Sequence, residues 1–118
     1  MSGSFSDTDT ELSPERVKEL VDAGEVQLVD VRETYEWEAG RIDGARHIEV
    51  AQLASEAETI DRGRPVVFHC RVGSRSAMAA QAFRRAGFDA YNLSGGILAW
   101  ADRGLPLGPD DSAHVADH

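Results

Sequence analysis

Pro65-Val66-Val67-Phe68-His69-Cys70-Arg71-Val72-Gly73-Ser74-Arg75-Ser76 changes character within a dozen residues. The first four are apolar, with a β-branched pair at Val66 and Val67, the pattern of a strand buried on both faces. After them, Ala77-Met78-Ala79-Ala80-Gln81-Ala82-Phe83-Arg84-Arg85-Ala86 is alanine-rich and predicts a helix. Between the two lies a short loop that contains a glycine and the only cysteine in the chain. Strand, loop and helix in this order imply an α/β domain with a parallel sheet. They place Cys70 at the carboxyl end of its strand, where open α/β sheets bind ligands.

That position has chemical consequences. The first turn of a helix offers unpaired N–H groups and the positive end of the helix dipole. A loop running into it can turn its amides toward an anion. Arg71 and Arg75 add two positive charges. All of these favour thiolate over thiol, and the thiolate is the nucleophile. A free cysteine at the end of a core strand is often only a small buried hydrophobe. The two arginines and the glycine argue instead for a reactive cysteine with an anionic substrate or intermediate.

The same alternation extends in both directions. Ser13-Pro14-Glu15 is a helix start with a serine cap and proline at the first position, and Gly24 ends that helix. Leu12 precedes it as a very short edge strand. Val26–Val31 is a strand, Thr34–Ala39 a short helix stopped by Gly40, and Arg46–Ile48 a short strand. Leu53, Ala54, Ala57 and Ile60 have helical spacing within residues 50–60. Asp89–Leu93 is the last strand, and Ser94-Gly95-Gly96 turns into a final helix that ends near Gly104. Residues 1–10 and 108–118 are polar and read as flexible tails around a domain of residues 11–107. Asp30 and Arg32 fall at the carboxyl end of their strand, as Cys70 does of its own.

Composition narrows the function classes. The chain has 118 residues, 21 acidic against 12 basic, for a net charge of −9. Eleven of the basic residues are arginine, and Lys18 is the one lysine. Such a balance argues against nucleic acid or an anionic membrane as a partner. It suits either an ordinary acidic soluble protein or a high-salt cytoplasm. One cysteine excludes an intramolecular disulfide framework and fits a reducing, cytoplasmic setting. The N-terminus lacks the basic and apolar regions of a secretory signal. No apolar run approaches the ~20 residues of a membrane span. His47, His114 and His118 are too scattered to suggest a metal site, and no cofactor is expected.

Four stretches together resemble the rhodanese (sulfurtransferase) homology domain in its small single-domain form. They are Asp30-Val31-Arg32-Glu33 with Glu36 and Trp37; Gly40-Arg41-Ile42-Asp43-Gly44-Ala45; Cys70-Arg71-Val72-Gly73-Ser74-Arg75-Ser76; and Leu93-Ser94-Gly95-Gly96 with Ala99-Trp100 and Gly104-Leu105-Pro106. Arg41, Asp43 and Glu49 depart from the histidine and prolines usual at those places. The departures bear on turn rigidity more than on the reactive loop.

The resemblance implies a three-layer fold, a five-stranded parallel sheet with helices on both faces. It implies sulfur transfer through a persulfide on Cys70. A sulfane donor such as thiosulfate would give up its outer sulfur to the thiolate, and a thiol or protein acceptor would collect it. Arg71, Val72, Gly73, Ser74, Arg75 and Ser76 would bind the donor and the persulfide, with Arg71 and Arg75 on the oxyanion. Asp30 and Arg32 are expected as an ion pair supporting the loop. His69 is expected as strand packing with one satisfied hydrogen bond, and a general-base role is the less favoured reading.

Two rival functions share the loop. Cys-dependent phosphatases, and the related arsenate reductases, also place histidine before the cysteine, but with five residues between cysteine and arginine. Here that position is Ser76 and the arginine comes one residue earlier, which makes a smaller cradle. A persulfide carrier or interaction module with little turnover is the other alternative.

Overall fold

The structure, a computed structural model, describes residues 10–116. The N-terminal tail expected over residues 1–10 lies outside the described residues except for Thr10, and so does His118. Strand β1 is Glu11–Leu12, helix α1 Pro14–Asp22, β2 Gln27–Asp30, α2 Thr34–Ala39 and β3 Arg46–His47. Then come α3 Leu53–Glu56, β4 Val66–His69, α4 Ser74–Arg85, β5 Ala90–Leu93 and α5 Gly96–Asp102. The five strands form one sheet in the order β1-β5-β4-β2-β3, and every pairing is parallel. The fold is therefore the α/β architecture expected from the sequence, with even the two-residue strand at Leu12 in place on the edge.

Side chains alternate across the strands and so feed two cores. Val66, Phe68 and Cys70 face one core with Val29, Val31, Leu53, Ala79, Ala80 and Phe83. Val67 faces the other with Leu28, Tyr91, Leu93, Val17, Leu20, Ile97 and Trp100. Helices α3 and α4 cover the first face, and α1 and α5 the second. No helix among the described residues is long and apolar enough to cross a membrane.

Local chemistry explains most boundaries. Ser13 caps α1 by accepting the Arg16 amide at 3.1 Å, and Pro14 sits at its first turn. Glu33 and Glu36 form a reciprocal capping box that starts α2. Residues 50–60 differ from the single helix that their spacing suggests. They form two turns of 3₁₀ helix, Val50–Gln52 and Ala57–Thr59, on either side of the short α3. Leu53 and Ile60 still drop into the core, so the apolar spacing marks burial rather than one continuous ladder.

Residues 108–116 run back against the domain. Gly108 pairs with Arg41 in an antiparallel bridge, the His114 amide donates to the Ala39 carbonyl, and Val115 packs on the second core.

Candidate functional site

Strand β4 ends at His69, and the next residue delivers the sulfur. Helix α4 begins at Ser74, three residues before the alanine run, so Ser74, Arg75 and Ser76 belong to its first turn. Gly73 is the cap, with a φ of 104°; that left-handed conformation is open to glycine and strained for other residues. Because the turn is so tight, the amides at the start of α4 converge on Cys70. The Gly73 amide donates to Sγ at 3.1 Å and the Ser76 hydroxyl at 3.4 Å. The Ser76 and Arg75 amides lie near enough to the same sulfur to lower its pKa.

A neighbouring element sets the outward-facing carbonyls. Ile97 and Leu98, in the first turn of α5, donate their amides to the carbonyls of Cys70 and Arg71 at 2.9 and 3.0 Å. With its carbonyls held on that side, the loop keeps its amides toward the sulfur. The close approach needs Gly96. A Cβ there would overlap the Arg71 carbonyl oxygen, and φ is +67°. Asn92, on β5, donates to the Gly73 carbonyl at 3.3 Å and to the Glu11 carboxylate at 3.0 and 3.1 Å. It ties the turn to the edge strand.

The electrostatics of the cysteine follow from these contacts. The Cys70 side chain is buried, and burial by itself pushes the thiol up. The Ser76 hydroxyl and then the amides of Ser76, Gly73 and Arg75 outweigh that effect, so the pKa falls below its ordinary value. Each of these donors favours the thiolate.

The arginines are placed differently from one another. Arg71 extends across the loop and its Nε donates to the Ala116 carbonyl at 3.1 Å. Arg75 lies between two anionic groups. Its Nη1 and Nη2 reach the Glu36 carboxylate at 3.2 and 3.4 Å; burial pushes its pKa down, but the Glu36 carboxylate and the nearby Cys70 thiol raise it. Glu36 is 1% exposed, and its carboxylate accepts the Glu33 amide at 3.0 Å. Beside Arg75 opens a depression of about 360 Å³ lined by Val31, Glu33, Glu49, Val50 and Ala51. Val72 and Ser74 stand exposed on the outer side of the loop.

Asp30, Arg32 and His69 gather on the other face of the sheet from Cys70. Asp30 and His69 are register partners, and alternation puts both beside Val67, away from Val66 and Phe68. Arg32 binds Asp30 through Nε at 3.0 Å and Nη2 at 2.8 Å, and Nη2 also reaches the Gly40 carbonyl at 2.8 Å. This is the ion pair the sequence suggested. Burial pushes Asp30 up, but His69 and Arg32 hold it below its ordinary value.

His69 differs from expectation. Among the described residues neither ring nitrogen has a hydrogen-bond partner, and its Nε2 stands 3.7 Å from Asp30. Burial lowers its pKa, so it is neutral at neutral pH. Its placement across the sheet from the sulfur offers no route for it to act as a base on Cys70.

Of the remaining candidates, His47 stacks on Trp37 at 4.9 Å, and Arg41 lies over the same ring at 4.9 Å. Arg46 bonds Thr59 and Glu56 at the surface. Trp100 is buried and donates to the Pro106 carbonyl at 2.8 Å. No group of three or more metal-ligating side chains occurs among the described residues. The sequence reading assigned no role to Glu36, Asn92 or Gly96. The motif stretches were the available signal for Glu36 and Gly96, and Asn92 carried none beyond its place in the last strand; what all three touch depends on the tertiary fold.

Known proteins are similar to this chain. The family model for the rhodanese-like domain matches residues 13–103. The chain is 37% identical over 99 residues to the probable adenylyltransferase/sulfurtransferase MoeZ of Mycobacterium tuberculosis, covering 80% of this chain and 25% of that protein. It thus spans about a quarter of that relative's length. It is 38% identical over 97 residues to the thiosulfate sulfurtransferase GlpE of Pseudomonas aeruginosa, covering 81% of this chain and 87% of that one. The fold superposes on the crystal structure of a rhodanese-related protein from Thermoplasma volcanium with a TM-score of 0.79 at 24% identity, over 85% of this chain and 98% of the other. The strand order, the loop on α4 and these matches agree: the chain belongs to the rhodanese-like family.

Proposed function

We propose that this chain is a sulfurtransferase that carries a sulfane sulfur as a persulfide on Cys70. The observation that supports it most is the convergence of the Gly73 amide, the Ser76 hydroxyl and the Arg75 and Ser76 amides on one sulfur atom. A cradle built around a single sulfur stabilises a thiolate before reaction and a persulfide anion after it. The relative named thiosulfate sulfurtransferase adds the reaction class.

In this reading the Cys70 thiolate forms a bond to the outer sulfur of thiosulfate. The original S–S bond breaks, and its electron pair leaves with sulfite. An acceptor thiolate or cyanide then attacks the outer sulfur and restores the Cys70 thiolate. Two half-reactions through a covalent intermediate give ping-pong kinetics. No general base is needed, because the cradle already favours the thiolate. The loop residues Arg71 to Ser76 surround the reacting sulfur. Asp30, Arg32 and His69 support the strand ends from behind.

The test is mass spectrometry of the intact chain after exposure to thiosulfate. One added sulfur is expected on the wild type and none on Cys70→Ser. Hydrolysis of an aryl phosphate without sulfur loading would overturn the reading in favour of a phosphatase.

A further inference from the structure

Arg75 is committed before any donor arrives. Its guanidinium holds the Glu36 carboxylate at 3.2 and 3.4 Å, and the Cys70 thiol is near enough to raise its pKa. Once the thiol ionises, one cation serves two anions. Glu36 is 1% exposed and fixed by the Glu33 amide, so it cannot swing away into solvent. Glu33 and Glu49 line the same depression as Arg75. A dianion entering there meets an acidic wall and a cation already compensated.

A second observation concerns shape. Across Arg75 from that depression lies a groove of about 370 Å³ whose lining includes Val50, Leu53, Met78, Ala79 and Phe83. Met78 is 73% exposed and Val50 44%. Arg75 and Val50 border both spaces, so the groove is continuous with the reactive loop. Thiosulfate has no apolar surface to bury in it, whereas an organic donor has.

Resting on the sulfur-transfer reading, we infer that Glu36 is a positioning residue that sets the charge of the donor. By holding Arg75 as a compensated pair, it fits the site to a sulfane donor of low charge whose apolar body occupies the groove, in preference to the thiosulfate dianion. Persulfides and thiosulfonates of apolar groups have this chemistry. With benzenethiosulfonate, a monoanion, the Cys70 thiolate bonds to the sulfane sulfur and the bond to the sulfonyl group breaks. The electron pair leaves with benzenesulfinate, and Cys70 keeps a persulfide anion. Charge and electrons balance without an added oxidant.

The experiment compares kcat/KM for benzenethiosulfonate and thiosulfate, with cyanide as acceptor, on the full chain. The wild type should favour benzenethiosulfonate by about tenfold, the scale of one charge-assisted hydrogen bond. Glu36→Gln keeps the shape and removes the charge. It should raise thiosulfate use by about tenfold, mostly through a lower KM, and move the ratio toward thiosulfate. The double variant E36Q/R75Q should lose that gain, because the effect passes through Arg75.

Three results would overturn the inference. They are a wild-type ratio that favours thiosulfate or shows no preference, an equal change for both donors in E36Q, or a gain that survives in E36Q/R75Q. If E36Q does not fold, the wild-type ratio still decides. If neither donor adds sulfur to Cys70, the sulfur-transfer reading itself fails and this inference falls with it. Loading from both donors without preference defeats the donor inference alone.

Discussion

The amide of Ile97 donates to the carbonyl of Cys70 at 2.9 Å, so the reactive loop is held by the helix that follows the neighbouring strand. Gly96 makes this contact possible. Gly96→Ala would push a methyl group into the Arg71 carbonyl and strain a positive φ. Overpacking and backbone strain together should cost about 2–4 kcal/mol, read by urea denaturation. A loss well under 1 kcal/mol would show that the loop can withdraw from α5 without penalty.

The Cys70 titration should report the cradle directly. The rate of iodoacetamide alkylation against pH should rise at a lower pH than for an ordinary thiol. Ser76→Ala removes the hydroxyl 3.4 Å from the sulfur and should move the profile back up. A hydrogen bond to a charged group is worth about 1.5–3 kcal/mol, so the change should be easy to see. The same shift links to stability. A thiol pKa depressed by folding contributes stability that is fully present above its ordinary 9.0 and is lost as pH falls through the folded-state value. An unchanged profile in Ser76→Ala would leave the amides as the sole source of activation.

Asp30→Asn tests the buried pair on the opposite face. It leaves the buried Arg32 guanidinium without its carboxylate, and breaking such a pair costs about 3–5 kcal/mol. Urea denaturation at neutral pH measures it. The wild type should also weaken in acid in two stages. His69 is held neutral by burial, so its contribution is complete above its ordinary 6.5 and declines as pH falls. Asp30 is held below its ordinary 3.8, so its contribution persists until more acidic pH. His69→Phe should remove the first stage and leave the second, held by Arg32 alone and so beginning at a higher pH. A slope near 6.5 that survives His69→Phe would assign that titration elsewhere.

Asn92→Ala removes the donor shared by Gly73 and Glu11. It should cost about 1–2 kcal/mol and speed hydrogen exchange of the Gly73 amide. Unaltered exchange would mean that the turn is held by the first turn of α4 alone.

Much of this site could be read from the chain before folding. Val66 to Phe68 is apolar on both faces, which identified a central strand, and Cys70 at its carboxyl end located the chemistry. Ser13-Pro14 and Gly40 marked helix boundaries because capping and φ preferences act locally. The start of α4 was harder. Ser74, Arg75 and Ser76 have only ordinary helix propensity, and the Gly73 cap that begins the helix there is a feature of backbone geometry. The pairing of Arg75 with Glu36 spans 39 positions and exists only because the sheet sets α2 beside the start of α4. His69 looked like a candidate base because it adjoins Cys70 in sequence. In a strand, adjacency means opposite faces.

Arg71 reaches the Ala116 carbonyl at 3.1 Å, so the segment that follows α5 is latched to the residue next to the nucleophile. Movement of that segment and movement of the reactive loop are thereby mechanically coupled.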